Sequence, residues 1–146
     1  RHEGGSMKLV ILDRDGVINF DSDHYIKSTD EWRPIPGSIE AIARLTQTGH
    51  HVVVATNQSG VGRGLFDMAT LNAMHAKMHR LVSQCGGRID AVFYCPDTDL
   101  SQSLCRKPMP GMFHAIAERF NTPLTGVPAI GDALRDATDP RLDRGE

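Results

Sequence analysis

Leu9-Val10-Ile11-Leu12-Asp13-Arg14-Asp15-Gly16-Val17 is the stretch on which the reading of this chain turns. An unbroken aliphatic run halted by a carboxylate describes a strand buried on both faces, the habit of a parallel sheet. Side chains alternate along extended backbone, so Asp13 and Asp15 point into one space while Arg14 points elsewhere. Gly16 permits a tight turn and a close backbone approach behind them. Two carboxylates held this near repel each other unless a cation lies between them. Hard oxygen ligands at a strand end suit Mg²⁺, which takes one or two carboxylates and keeps sites for water and phosphate. With the cation bound, one carboxylate can attack phosphorus while the other handles protons. Taken alone, the same pair also reads as turn and cap aspartates on the surface.

Working outward, the chain alternates short apolar runs with amphipathic stretches. After Asp13 comes a polar segment too rich in Asp, Ser and Pro for a long helix, with Trp32 expected to pack it before Pro34 and Pro36. Ser38 is expected to cap a helix carrying Ile39, Ile42, Ala43 and Leu45 and ending at Gly49. Val52 to Ala55 reads as a second strand and Thr56 to Leu65, with three glycines, as a loop. Asp67 is expected to cap a longer helix with Leu71, Met74, Met78, Leu81, Val82 and Cys85 at helical spacing, stopped by Gly86-Gly87. Ile89 to Tyr94 reads as a third strand, and Cys95 to Met109 as a loop. Pro110 opens a helix that buries Phe113, Ile116, Ala117 and Phe120, and Val127 to Ile130 is a fourth strand. This order predicts one α/β domain, a doubly wound, Rossmann-like parallel sheet with helices on both faces. Active sites of such folds lie beyond the carboxyl ends of the strands.

Three further motifs fall at such ends. Thr56-Asn57-Gln58-Ser59-Gly60 offers a hydroxyl and successive backbone N–H groups, a cradle for phosphate oxygens, although polar residues after strands are also ordinary turn formers. In Arg106-Lys107-Pro108 the lysine can neutralise a nucleophile and a transferring phosphoryl group, and Arg106 can grip a second anion with its planar fork, although an isolated Arg-Lys pair reads more readily as exposed solubilising charge. Asp132, after Gly131, can supply a further metal carboxylate, with Asp136 orienting it or a metal-bound water, or Asp132 can cap a helix. His75 and His79, at i, i+4 spacing, are expected on a solvated helix surface.

The bulk numbers narrow the class of function. The chain has 146 residues, 40% hydrophobic and 23% charged, enough for a single domain. A formal charge of −2, from 16 Lys and Arg against 18 Asp and Glu, gives no electrostatic argument for nucleic acid or an anionic membrane as partner. No apolar run approaches the roughly 18 to 20 residues needed to cross a bilayer. Residues 1–6 read as a tag remnant, with residues 7–146 as the domain. Cys85, Cys95 and Cys105 lack the spacing of a disulfide framework, which points to a reducing cytoplasm.

The order of these motifs resembles the haloacid dehalogenase superfamily of phosphohydrolases, from about Lys8 to Asp136. Its four motifs match Asp13-Arg14-Asp15-Gly16-Val17, Thr56, Lys107 and Gly131-Asp132 to Asp136. The resemblance implies an aspartyl-phosphate enzyme in which Asp13 is the nucleophile and Asp15 is general acid, then general base. Mg²⁺ would be held by the Asp13 carboxylate, the Asp15 backbone carbonyl and Asp132, with Thr56 and Lys107 holding the phosphoryl oxygens. Asp13 to Asn19, Thr56 to Gly60 and Cys105-Arg106-Lys107-Pro108 are similar to the D-glycero-D-manno-heptose 1,7-bisphosphate 7-phosphatases, whose relatives act on histidinol phosphate. That group lacks a large cap domain, so loops would shape the pocket, with Asp21, Ser22, Asp23 and His24 near the substrate beside Asn57, Gln58 and Ser59. A bisphosphate gives Arg106 a second phosphate to bind, which favours the heptose substrate over histidinol phosphate or another small phosphomonoester. The implied setting is a monomer in cytoplasmic carbohydrate metabolism that feeds a bacterial surface polysaccharide.

The chain departs from that group twice. The group's zinc loop has the pattern Cys-x-His, a spacer, then Cys-x-Cys; here Cys95 and Cys105 keep the outer positions, but Asp97 and Ser103 hold the middle two. Structural zinc wants four Cys or His ligands, so zinc is expected to be absent or weak. Residues 137–146 are polar where the family continues with a helix and a strand, so the C-terminal end reads as truncated or shortened. A catalytically silent binding protein of the same fold is the rival from another class. It has no physical need for Asp13, Asp15, Thr56, Lys107 and Asp132 together.

Overall fold

The computed structural model of the chain describes residues 7–96 and 111–131. Its centre is the aliphatic run: β1 (Leu9–Leu12) is buried at every position, as a strand covered on both faces must be. The other strands are β2 (His51–Asn57), β3 (Ala91–Cys95) and β4 (Ala129–Ile130). They form one four-stranded sheet in the order β3-β2-β1-β4, every pair parallel, with Leu9 opposite His51, Val53 opposite Ala91 and Ile11 opposite Ala129.

The two-residue alternation of the strands divides the core. Val10, Leu12, Val52 and Val54 face α1 (Ser38–Gln47) and α3 (Met68–Gln84), meeting Ile39, Ile42, Leu71, Met74 and Met78. Leu9, Ile11, Val53 and Ala55 face the other way, onto Met112, Phe113 and Ile116 of α4 (Gly111–Phe120). The sheet is therefore covered by helices on both faces, the doubly wound arrangement. Among the described residues no helix is long and apolar enough to cross a membrane.

Local chemistry sets the helix ends, with one correction. Asp67 caps α3 as expected, its Oδ1 accepting from the Thr70 amide at 2.8 Å. Ser38 does not cap α1: the capping position is Gly37, and Ser38 is the first helical residue. Its hydroxyl instead donates to the Ile18 carbonyl at 2.7 Å, tying the helix start to the segment after β1. The stretch expected to be all loop after β2 contains one short helical turn, α2 (Ser59–Gly62).

The polar segment between β1 and α1 is a folded flap. Asn19 bridges Asp15 and Pro34, and Ile18, Ile26 and Trp32 are buried in the core on the α1 and α3 side. Lys77 of α3 clamps the flap, donating to the carbonyls of Thr29 and Trp32 at 2.7 Å each while its ammonium lies 5.8 Å from the centre of the Trp32 ring. The flap thereby overhangs the carboxyl ends of β1 and β2.

Candidate active site

Asp13 leaves the end of β1 with its amide bound to the Ile130 carbonyl at 2.9 Å, so sheet pairing with β4 fixes its backbone. Its Oδ1 accepts the Arg14 amide at 2.8 Å. Gly16, at φ 88°, then turns the chain sharply enough for the amides of Val17, Ile18 and Asn19 to approach the Arg14 carbonyl. Asp15 is held by three side chains. Its Oδ1 accepts from Arg14 Nε at 2.7 Å and Asn19 Nδ2 at 2.9 Å, and its Oδ2 from Gln58 Nε2 at a long 3.4 Å. A carboxylate offers about four acceptor positions, so Asp15 keeps a free position on Oδ2 while both oxygens are already engaged by protein donors.

The turn after β2 brings Thr56 to the same place. Thr56 is buried and its Oγ1 accepts from Gln58 Nε2 at 2.9 Å. The Gln58 amide donates to the Cys95 carbonyl at 2.8 Å, which ties this turn to the end of β3. Asp13, Asp15, Thr56, Asn57, Gln58 and Ser59 line one cavity of about 230 Å³, roofed by Asp21, Ser22, Tyr25 and Ile26 of the flap. A larger cavity of about 630 Å³ adjoins it, sharing Asp21, Ser22, Tyr25 and Ile26 and adding Lys27 and Arg33 among others. Size does not locate chemistry here: the smaller cavity holds the paired carboxylates, the hydroxyl and the strand ends.

The flap residues divide between the two spaces. Asp21 and Ser22 reach the carboxylate cavity, whereas His24 faces the larger one and Asp23 is exposed and lines neither. Tyr25 and Ile26 wall both cavities and were not anticipated. Tyr25 adopts φ 68°, a conformation costly for a bulky residue, and no pattern in the sequence announces it. Arg106, Lys107, Asp132, Asp136 and Cys105 lie outside the described residues. Cys95 is disulfide-bonded, a correction to the expectation of unpaired cysteines, since the lack of a framework spacing does not exclude a single bridge; Cys85 is free and exposed.

His75 requires a correction. Expected on a solvated helix surface, it is buried, with Arg14 Nη1 3.2 Å from its Nε2. Burial, then the positive charges of Arg14 and His79, lower its pKa from 6.5 to about 4 against the opposing pull of Asp15. The signal was present: position 75 falls four after Leu71 and three before Met78, within the apolar stripe of α3.

Two carboxylates at a strand end are donors of the kind a hard cation takes, although among the described residues no three acidic, His or Cys side chains gather closely enough to hold one. Asp13, Asp15 and Asp21 line the cavity, and among the described residues no Lys or Arg does, so a phosphate dianion entering it needs countercharge.

Comparison with known proteins agrees with this geometry. The family model described as polynucleotide kinase 3 phosphatase matches residues 8–135. The chain is 62% identical over 130 residues to a D-glycero-beta-D-manno-heptose-1,7-bisphosphate 7-phosphatase of Bordetella bronchiseptica, covering 89% of this chain and 73% of that protein. Identity to the protein of the same name from Neisseria meningitidis serogroup A is 56%, covering 89% of this chain and 70% of that one. The crystal structure of the D,D-heptose 1,7-bisphosphate phosphatase from B. bronchiseptica, complexed with magnesium and phosphate, superimposes with a TM-score of 0.88. Its sequence identity is 58%, over 93% of this chain and 76% of that chain.

Proposed function

The chain belongs to the family of D-glycero-beta-D-manno-heptose-1,7-bisphosphate 7-phosphatases, and on that premise we propose that it removes the 7-phosphate of a heptose 1,7-bisphosphate with Mg²⁺ as cofactor. The observation that carries the proposal is the meeting of Asp13, Asp15 and Thr56 in one cavity at the ends of β1 and β2. A cavity of about 230 Å³ under a folded flap suits a phosphorylated sugar. The formal charge of −2 gives no electrostatic argument for a polynucleotide substrate, despite the name of the matching family model. The reaction is a step of cytoplasmic carbohydrate metabolism, and residues 7–146 belong to one phosphatase domain that acts as a monomer.

Bound Mg²⁺, held by the Asp13 carboxylate, the Asp15 backbone carbonyl and Asp132, supplies charge neutralisation and phosphate orientation. The chain's own residues do the rest. The Arg14 amide donates to Oδ1 of Asp13, and the Asp13 carboxylate bonds to phosphorus as the sugar oxygen departs. Asp15 gives its proton to that oxygen through Oδ2, the atom with a free acceptor position in the ionised form. It then withdraws a proton from the water that attacks the aspartyl-phosphate, and Asp13 and inorganic phosphate are released. The Thr56 hydroxyl and the turn that follows it bind phosphoryl oxygens, and Lys107 neutralises their charge. Arg106 takes the second phosphate with its fork. Asp21 and Ser22 contact the sugar, and Asp136 orients Asp132 or its water.

Phosphate release from heptose 1,7-bisphosphate and from histidinol phosphate, measured side by side with and without Mg²⁺, tests this reading. Fast release from the bisphosphate, abolished by Asp13→Asn, is expected. Preference for histidinol phosphate would overturn the substrate, and activity surviving in Asp13→Asn would overturn the mechanism.

A further inference from the structure

We propose that His75 and Gln58, acting through Arg14, are positioning residues that aim the Asp15 carboxylate at the leaving group. The proposal rests on the assignment of Asp15 as acid and base. Arg14 is fully buried between the strand end and α3. A guanidinium keeps its proton even there, so burial is tolerable only where its donors are met. They are met from three directions: Asp15 Oδ1 at 2.7 Å from Nε, His75 Nε2 at 3.2 Å from Nη1, and Gln58 Oε1 at 3.4 Å from Nη2. Because arginine only donates, His75 must present the lone pair of Nε2 and carry its hydrogen on Nδ1.

Gln58 closes the network into a ring. It accepts from Arg14 through Oε1 while its Nε2 donates to Thr56 Oγ1 at 2.9 Å and Asp15 Oδ2 at 3.4 Å. The fork of Arg14 is thus pinned on α3 and on the turn after β2, and its Nε then sets the plane of the Asp15 carboxylate together with Asn19. Rotating Asp15 about its last bond breaks the short contacts at 2.7 and 2.9 Å, so the oxygen left toward the cavity is Oδ2. Removing the acceptor at position 75 leaves a buried cationic N–H unpaired and lets the fork swing, carrying Asp15 with it.

The alternative is that His75 only satisfies a buried arginine for stability. Leaving-group dependence separates the two, since kcat/KM covers the steps through departure of the leaving group. A sugar oxygen must be protonated as it leaves, whereas p-nitrophenolate needs little help. The variants are His75→Leu, His75→Asn and His75→Gln. The glutamine amide oxygen lies as many bonds from Cβ as Nε2 does, whereas that of asparagine matches Nδ1.

For His75→Leu and His75→Asn, kcat/KM on the sugar phosphate is expected to fall about tenfold or more, part of the ~10²- to 10⁴-fold that acid–base catalysis supplies. On p-nitrophenyl phosphate the fall should stay within about threefold, and His75→Gln should recover most of the sugar-phosphate rate. Equal losses on both substrates would overturn the proposal, as would undiminished sugar-phosphate turnover in folded His75→Asn. Should His75→Leu fail to fold, the Asn and Gln pair gives the same comparison with polar side chains. Asp15→Asn is the control on the premise: turnover of the sugar phosphate surviving in it would sink the assignment of Asp15 itself, independently of His75.

Discussion

Gly131→Ala is a one-carbon test of how closely the sheet is built around the nucleophile. Gly131 follows β4 at φ 134°, and a Cβ placed on it would lie 2.6 Å from Asp13 Cβ, 3.2 Å from Oδ2 and 3.4 Å from Cγ. Carbon atoms settle about 3.5 to 4.0 Å apart, so a gap of about 1 Å must open between the new methyl and the aspartate. Asp13 cannot retreat along the strand, because its amide is bound to the Ile130 carbonyl at 2.9 Å, one residue before the substitution. The side chain or the β1–β4 pairing must move, and the left-handed backbone adds about 1 to 3 kcal/mol of strain. A misplacement of about 1 Å at a reacting atom costs on the order of 10²-fold in rate, or about 2.7 kcal/mol of barrier. The assay is phosphate release at saturating substrate, paired with urea unfolding. The expected variant is folded, less stable by about 1 to 3 kcal/mol, and slowed in kcat more than altered in KM. A kcat within about threefold of the parent would refute the claim that Gly131 exists to make room for Asp13.

Acid stability should carry the mark of His75, which stays neutral in the fold down to about pH 4 but titrates near 6.5 when unfolded. Between those values the unfolded chain binds a proton that the native one refuses, so stability is complete above about 6.5 and is lost as pH falls toward 4. The loss reaches about 3 kcal/mol. Urea unfolding at pH 7.5 and 4.5 should therefore show a smaller acid loss in His75→Gln than in the parent, and equal losses would count against the neutral buried imidazole. Trp32→Ala should destabilise by about 3 to 5 kcal/mol, because the ring is wholly buried where the flap meets the core. A cost under about 1 kcal/mol would mean that the flap unfolds apart from the sheet.

The sequence by itself determined the parts of this protein that follow from periodicity and local chemistry. An unbroken Leu9–Leu12 run can only be satisfied by cover on both faces, which specified a parallel sheet with helices on either side. The alternation of extended backbone put Asp13 and Asp15 on one side and Arg14 on the other, and Asp67 declared the start of α3 through its own side chain. Ser38 misled because a hydroxyl before an apolar run serves equally as a cap or as a tertiary donor, and only the nearness of Ile18 decides between them. The same holds for His75, whose place in the apolar stripe was visible but whose partner stands 61 positions earlier in the chain. Tyr25 and Ile26 reach the cavity because the flap folds back over the sheet, anchored by Trp32 and Lys77. Which carboxylate oxygen is left free, and which side chains aim it, depends on contacts between segments remote in sequence. Such contacts leave no periodic trace, so the tertiary structure alone decided them.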